Sequence, residues 1–258
     1  MSDTFIKHVL GYGNKKRDGY YGKTAGYYGT VEQQGRLTLH MHMMVWIKHS
    51  ISPQQIRDEI MNSDSDFQRR IVQYLEAAHV GEFKHGTITE VQDKQSHKLT
   101  TDSTYVPPTL RLPEHPVEYC NMACKQCDEC TLADHWWLNF EETVDEIAVL
   151  SNVHVCHPGC TNKSHPTCKS RFPRDVFPQT LVDPETGCLS LKKGEAWVNC
   201  FTPVVTYLLR CNTDVTSLLS GTAIKAVIAY VTDYITKSPL KTHVIFDAVK
   251  TQLNIKIS

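Results

Sequence analysis

The chain has 258 residues, a formal net charge of −1, 41% hydrophobic residues and 21% charged residues. These values are typical of a globular protein that can bury a core, and they exclude a strongly basic nucleic-acid-binding chain and a low-complexity polypeptide. No stretch approaches the ~18 consecutive apolar residues of a membrane helix, so we expect no membrane partner.

The N-terminal segments predict a short helix followed by a β-hairpin. Residues 4–10 have the character of a helix end, and residues 11–26 are rich in Gly, Tyr and Lys and predict a loop. Residues 27–32 and 37–47 predict two strands joined through a turn that contains Gly35. The second strand is almost continuously apolar around its histidines, which favours an inner strand of an antiparallel sheet.

Helices dominate the predictions for the rest of the chain. Ser52 is a predicted N-cap, Pro53 takes the first helical position, and Gln55 lies three residues after the cap. A polar stretch at 84–111 lacks a steady period and predicts a long excursion. The other predicted segments are a helix at 67–78, a helix near 141–150, apolar segments at 204–209 and 212–218, and a last helix at 222–237.

Two histidines in the second strand form a candidate metal site. His40 and His42 are two residues apart, so on a strand both imidazoles project from one face, about 7 Å apart. Glu32 or Gln34 on the preceding strand is a candidate third ligand. Such a set suits Mg²⁺, Mn²⁺, Zn²⁺ or Fe²⁺ and leaves open coordination positions. Two alternatives stay open: solvent-facing strand residues, and an iron oxygenase triad, which leaves the tyrosine helix unexplained.

The last predicted helix carries a candidate nucleophile. Tyr230, Tyr234 and Lys237 lie at i, i+4 and i+7, at the border of an apolar stripe. A phenol has a pKa of about 10, so attack on a phosphate requires a nearby cation, which a metal ion or Lys237 can supply. Two tyrosines permit two successive strand transfers. The alternative is a pair of amphipathic tyrosines at the edge of a core.

Eight of the ten cysteines lie between Cys120 and Cys188, which indicates a local metal-binding insertion. The first candidate quartet is Cys120, Cys124, Cys127 and Cys130, and the second is His154, Cys156, Cys160 and Cys168, with His157 and His165 as competing ligands. Closed sets of this kind favour tetrahedral structural Zn²⁺, and the alternative is reduced, partly buried thiols. Cys188, Cys200 and Cys211 have no spaced partners and are expected in a core.

Because the net charge is close to zero, affinity for nucleic acid must come from local basic patches. The candidates are Lys15 to Arg17, the group Lys163, Lys169, Arg171 and Arg174, the pair Lys192 and Lys193, and the pair Lys237 and Lys241. The alternative for each is an ordinary solvated surface.

Taken in order, these motifs resemble a known family. Residues 27–36 running into Leu39-His40-Met41-His42 resemble the replication-initiator (Rep) endonuclease domain of Helitron transposons, a member of the HUH endonucleases. The resemblance continues through residues 152–156, 168–174 and 210–214, and it ends in the two-tyrosine helix.

The resemblance implies metal-dependent nicking and joining of single-stranded DNA in rolling-circle-like transposition. His40 and His42, with Glu32 or Gln34, would hold Mg²⁺ or Mn²⁺, and Tyr230 and Tyr234 would be nucleophiles supported by Lys237. The implied fold is α+β: an antiparallel HUH-type sheet flanked by helices, with a Cys/His-rich insertion that binds structural Zn²⁺. Its expected partners are single-stranded DNA and a separately encoded helicase, and its expected location is the nucleus.

The resemblance also predicts a division of the chain into three parts. Residues 1–106 would hold the N-terminal part of the Rep domain with the HUH motif, 107–178 the zinc-binding insertion, and 179–258 the C-terminal part with the two-tyrosine helix. Relative to the family, the chain is expected to be truncated at its N-terminus and to lack the helicase. A catalytically inactive fragment that serves as a zinc-containing DNA-binding or interaction module is therefore the alternative function.

Overall fold

A computed structural model of the chain describes residues 2–34, 38–62, 66–120, 124, 127–161, 166–220 and 223–229. Two compact units make up the chain. The hairpin unit comprises Met1–Ile56 and Leu218–Ser258, and the helical unit comprises Arg57–Ser217. The division into three parts predicted from the sequence stays a prediction.

The hairpin unit contains a long antiparallel β-hairpin. A short helix, α1 (Ser2–Thr4), continues into a π-helical turn (Phe5–Val9), as expected near residues 4–10. Strands β1 (Thr24–Gln34) and β2 (Thr38–Ile47) then pair in antiparallel register. Thr24 of β1 is buried and donates its hydroxyl to the Leu10 carbonyl at 2.6 Å, which ties the hairpin to the first helix.

The hairpin differs from the expected inner strand. Within the described residues the sheet has only these two strands, and from Leu39 to Ile47 no side chain of β2 is buried. Leu39 and Val31 are exposed apolar residues on this hairpin. The apolar run that predicted a central strand therefore lies on a half-exposed surface among the described residues.

The helical unit is built around one long helix. The helices are α2 (Pro53–Met61), which begins in the first unit, α3 (Phe67–Ala78), α4 (Ile88–Thr101), α5 (Asp128–Ser151) and α6 (Pro203–Leu209), with a 3₁₀ turn at Pro108–Leu110. Strands β3 (Leu181–Val182) and β4 (Leu189–Ser190) form a second antiparallel pair. A further helix, α7, covers residues 223–229 of the hairpin unit. No helix within the described ranges is long and apolar enough to cross a membrane.

The core of the helical unit forms where α5 meets the chain around residues 198–207. Phe140, Val144 and Ala148 recur every four residues on one face of α5 and are buried. They belong to one cluster with Phe201 and Tyr207. Burial of side chains of this kind stabilises the fold by roughly 1.5–3 kcal/mol each, so α5 is the element on which this unit depends.

Local capping signals explain the starts of α2 and α4, of which the sequence analysis predicted the first and missed the second. Gln55 Oε1 accepts the Ser52 amide at 2.9 Å and the Gln55 amide donates to Ser52 Oγ at 3.3 Å, so the predicted cap of α2 is present. The stretch at 84–111, expected to be an excursion, contains α4, which begins with a capping box of Thr87 and Glu90.

A buried carboxylate on α5 fastens the chain that precedes α4. Asp145 accepts the backbone amides of Lys84 and His85 at 2.9 and 2.8 Å, and His85 Nδ1 lies 3.1 Å from Asp145 Oδ2. Burial raises the pKa of Asp145, and these contacts oppose the rise. The helix predicted near 141–150 thus extends much further than expected and carries a polar anchor as well as core residues.

Candidate metal centres

The two histidines of the hairpin lie close together. His40 and His42 lie on one face of β2, with ring centroids 4.5 Å apart in an edge-on arrangement. Their backbone partners on β1 are Glu32 and Thr30, respectively. Directly paired residues of antiparallel strands share a face of the sheet, so the register places Glu32 on the histidine face.

The other predicted members of this site lie partly or wholly outside the described residues. The side chains of Glu32 and Gln34 lie outside the described part of the chain, although the backbone pairs Gln34 with Thr38. Tyr230, Tyr234 and Lys237 also lie outside the described residues. The hydroxyl of Thr30, opposite His42, is buried and has no hydrogen-bond partner among the described residues. Sequence analysis did not single out Thr30, because only its pairing with His42 across the hairpin connects it with this site.

The first cysteine quartet gathers at the N-terminus of α5. Cys127 is the N-cap residue of α5 and Cys130 lies in its first turn. Cys120 Sγ lies 3.5 Å from Cys127 Sγ and 3.6 Å from Cys130 Sγ. All four sulfurs, including that of Cys124, lie within 4.8 Å of one another. The amide groups at a helix N-terminus favour thiolates, so α5 supplies part of the electrostatic environment that metal binding requires.

The second quartet gathers just after α5 ends. His154 Nε2 lies 3.4 Å from Cys156 Sγ, 3.8 Å from Cys160 Sγ and 3.3 Å from Cys168 Sγ. Cys160 and Cys168 are buried and pack with Phe172. A tetrahedral zinc ion with bonds of about 2.3 Å to sulfur and 2.0 Å to nitrogen separates such ligand pairs by about 3.6 Å, and sulfur pairs by about 3.8 Å. Both quartets therefore have the dimensions of a zinc site and could hold such an ion.

The structure also decides between competing histidines. His157 Nδ1 accepts the Gly159 amide at 3.1 Å, and the Cys160 amide donates to the His157 carbonyl at 2.8 Å. His157 thus shapes the turn before Cys160 and is not a member of the convergent set. The other competitor, His165, lies outside the described residues.

The pKa values in the quartets depend on crowding and on backbone amides. Hydrogen bonds, first with Cys124, raise the pKa of Cys120 to about 12. Burial raises the pKa of Cys156 and lowers that of His154, which favours the neutral imidazole that binds metals. The Phe172 amide, which hydrogen-bonds to the thiol, lowers the pKa of Cys168. Close thiols ionise together only when a cation compensates their charge, so the four thiols of the first quartet and the three thiols of the second are chemically suited to a divalent ion.

Phe172 and Trp197 contact His154 of the second quartet. Sequence analysis did not single them out as site residues. The Phe172 ring stacks on His154 with centroids 4.3 Å apart, and the His154 amide donates to the Trp197 carbonyl at 2.8 Å. A ring that packs on a metal-binding imidazole fixes its orientation. The signal available in the sequence was an aromatic residue four positions after the last cysteine ligand.

Two of the remaining three cysteines do not match their expected burial. Cys188 and Cys211 are exposed and Cys200 is half-buried. Cys200 Sγ lies 4.0 Å from the Nζ atom of Lys193, a buried lysine. The expectation that these cysteines are ordinary core residues was wrong for Cys188 and Cys211.

Comparison with known proteins supports part of this picture. Residues 1–45 match the model of the family described as the Helitron helicase-like domain at the N-terminus. This match supports a Helitron-related origin. It includes β1 and most of β2, with both His40 and His42. No curated protein and no solved structure matches the chain.

Proposed function

We propose that this chain is a transposon-derived, metal-dependent enzyme that nicks single-stranded DNA and transfers the strand through a 5′-phosphotyrosine intermediate. The observation that carries the proposal is the hairpin register. It pairs His40 with Glu32, and the His40 and His42 rings lie 4.5 Å apart on the same strand. These residues fall within the 45 residues that match the Helitron family model.

The donor set of the hairpin suits a catalytic divalent cation. Two imidazoles and one carboxylate, with Gln34 as an alternative oxygen ligand, leave coordination positions for a phosphate oxygen. A bound Mg²⁺ or Mn²⁺ would polarise the phosphoryl group and orient it. The half-exposed surface of β2 is consistent with this role, because a scissile phosphate has to reach the histidines from solvent.

Strand cleavage is assigned to the tyrosines beyond the described residues. The phenolic oxygen of Tyr230 or Tyr234 attacks phosphorus and loses its proton, and a tyrosine–phosphate bond forms. The bond from phosphorus to the 3′ oxygen breaks, and that oxygen takes up a proton. The ammonium group of Lys237 favours the phenolate. The new ester retains the energy of the phosphodiester, so a later hydroxyl nucleophile can rejoin the strand.

A nicking assay tests this proposal directly. The full-length protein is incubated with labelled single-stranded DNA and Mg²⁺ or Mn²⁺, and covalent adducts are separated under denaturing conditions. We expect a nick and a protein–5′-DNA adduct. The double change His40→Ala with His42→Ala should abolish both, while His135→Ala, at an exposed histidine of α5, should leave them unchanged.

Tyrosine variants identify the nucleophile. Tyr230→Phe and Tyr234→Phe should each remove one class of adduct, and the double variant should remove both, because phenylalanine keeps the ring but lacks the attacking oxygen. Tyr74→Phe, at an exposed tyrosine of α3, is the matched control. An adduct that persists in the double variant would exclude these tyrosines as nucleophiles.

A second candidate function is a catalytically inactive, transposon-derived module that binds DNA or another partner. The observations that favour it are the extent of the family match, residues 1–45 of the chain, and the two potential zinc sites in the helical unit. Intact DNA after incubation, together with single-strand binding by the zinc-loaded protein, would support this function over nicking. Under either function, we propose single-stranded DNA as the partner and the nucleus as the location, and a separately encoded helicase as a further partner for the enzyme.

A further inference from the structure

Three aromatic rings lie parallel beside the second quartet. The ring planes of His154, Phe172 and Trp197 are within 7° of one another, and their centroids are 4.3 to 6.5 Å apart. Phe172 is buried, whereas Trp197 keeps 38% of its surface exposed. Packing against Cys160 and Cys168 accounts for the burial of Phe172, whereas Trp197 remains partly accessible to solvent.

The backbone around Trp197 is held firmly. The Trp197 carbonyl accepts the His154 amide at 2.8 Å, and its neighbour Val198 is fully buried and bridges to Val153. The Ala196 carbonyl accepts the Arg174 amide at 2.8 Å. An exposed aromatic ring on a fixed backbone loses little conformational entropy when a flat ligand stacks on it, so this site is preorganised.

Positive charge is concentrated in residues 166–176, the segment that carries Phe172. Lys169 and Arg171 are exposed, in the turns that carry Cys168. The Arg174 guanidinium lies 4.7 Å from the centre of the Phe172 ring and donates to Asn199 Oδ1 at 3.3 Å. Asp175 is the one carboxylate among residues 166–176. The local excess of cations contrasts with the net charge of −1 for the whole chain.

We propose that Trp197, Lys169, Arg171 and Arg174 form a binding surface for single-stranded nucleic acid, called here the Trp197 surface. An unpaired base stacks on the indole, and the three cations bind the phosphates on either side. Stacking requires a base that is not already enclosed in a duplex, so the surface discriminates in favour of single strands. This surface is separate from the His40–His42 site and does not require nicking activity.

Equilibrium binding measures the contribution of the indole. The zinc-loaded full-length protein is titrated with a labelled oligo(dT) of about 12 nucleotides, within the range that single-strand-binding surfaces cover. We expect Trp197→Ala to weaken binding about tenfold and Trp197→Phe to weaken it less, because phenylalanine keeps an aromatic face. The matched control is Trp137→Ala, at an α5 tryptophan that is 45% exposed, and its affinity should equal that of wild type.

Salt dependence tests the cations independently of the indole. The double change Lys169→Gln with Arg171→Gln should reduce the slope of log affinity against log salt by about 1.4, the value for two phosphate contacts on a single strand. A duplex of the same length should bind more weakly than oligo(dT). This double variant and Trp197→Phe also decide the outcome if Trp197→Ala loses zinc or folds poorly.

Several results would overturn the proposal. They are unchanged affinity in Trp197→Ala with full zinc content, an equal loss in Trp137→Ala, an unchanged salt slope in the double glutamine variant, or equal affinity for duplex and single strand. A failure of the nicking assay would not overturn it. The variant with His40 and His42 changed to Ala should lose nicking and keep its affinity for oligo(dT). The two proposals therefore fail separately.

Discussion

The two kinds of candidate metal site differ in how far the fold encloses them. His40 and His42 lie on a hairpin strand that has no fully buried side chain from Leu39 to Ile47. In the second quartet, by contrast, Cys160 and Cys168 are buried, and aromatic rings pack against the histidine. Four protein ligands close the coordination sphere of a zinc ion, whereas a histidine pair with one carboxylate leaves it open.

This contrast indicates separate roles for the two kinds of site, one in stability and one in activity. A closed quartet stabilises the fold, because one ion holds four protein ligands in place and the free energy of binding it contributes to folding. An open set contributes little to stability and is available to a substrate. The helical unit should therefore depend on metal for its stability, and the hairpin unit should depend on metal only for activity.

The largest expected effect is the loss of a buried ligand from the second quartet. Cys160→Ala should release one zinc ion and lower the free energy of unfolding of the helical unit by more than about 4 kcal/mol, as is typical when a structural metal is lost. Zinc analysis and thermal unfolding measure this. Cys188→Ala, at an exposed cysteine outside both quartets, should change neither value. Equal stability in the two variants would refute a structural role for the quartet.

A smaller effect is expected at the polar anchor of α5, which needs no metal. Asp145→Ala leaves the amides of Lys84 and His85 without their acceptor and should cost about 3 kcal/mol. Asp145→Asn keeps one carbonyl oxygen and should cost less. Both variants should retain zinc, so denaturant unfolding together with metal analysis separates this contribution from that of the quartets. Loss of zinc from Asp145→Asn would show that the two are coupled.

A moderate pH dependence is expected from His79 in the helical unit. His79 Nδ1 lies 2.7 Å from the Leu75 carbonyl and Nε2 lies 3.1 Å from Ser217 Oγ, and burial lowers its pKa below the usual 6.5. The unfolded chain therefore binds a proton first as the pH falls below 6.5. Stability is fully present above that value and declines toward the lower folded pKa, with a slope of at most about 1.4 kcal/mol per pH unit.

Replacing His79 separates its contribution to the pH dependence of stability from the loss of metal that occurs when the ligands are protonated in acid. His79→Gln keeps a polar side chain but does not titrate, so its stability should fall less steeply below pH 6.5 than that of wild type. Chemical denaturation at a series of pH values provides the comparison. Parallel curves for the two proteins would exclude His79 as the source.

The smallest effect on stability is expected at the open site. His42→Ala should change the free energy of unfolding by no more than about 0.5 kcal/mol, because the residue lies on a half-exposed strand, yet it should eliminate metal-dependent nicking. Thr24→Val in the same unit, which removes the buried hydrogen bond to the Leu10 carbonyl, should cost about 1 kcal/mol and retain activity. A larger loss of stability in His42→Ala than in Thr24→Val would contradict the view that the open site contributes little to stability.

The sequence by itself determined those features that depend on near neighbours. The bounds of α3 follow from its apolar period, the start of α2 from Ser52 and Pro53, and the hairpin from two apolar runs around a glycine turn. The cysteines of both quartets also followed from spacing, because cysteines a few residues apart can reach a common point locally.

Only the tertiary structure decided the features that depend on distant residues. Just Val91 and Gln95 of α4 are buried, so its sequence shows little apolar period and the helix depends on packing against α5. His154 belongs to the second quartet, whereas His157 is held by the Gly159 amide, although both have a suitable spacing. Trp197 reaches the quartet from more than forty positions beyond His154, through a backbone hydrogen bond. Spacing along a chain restricts which side chains can meet locally, but packing of the folded chain selects which long-range contacts form.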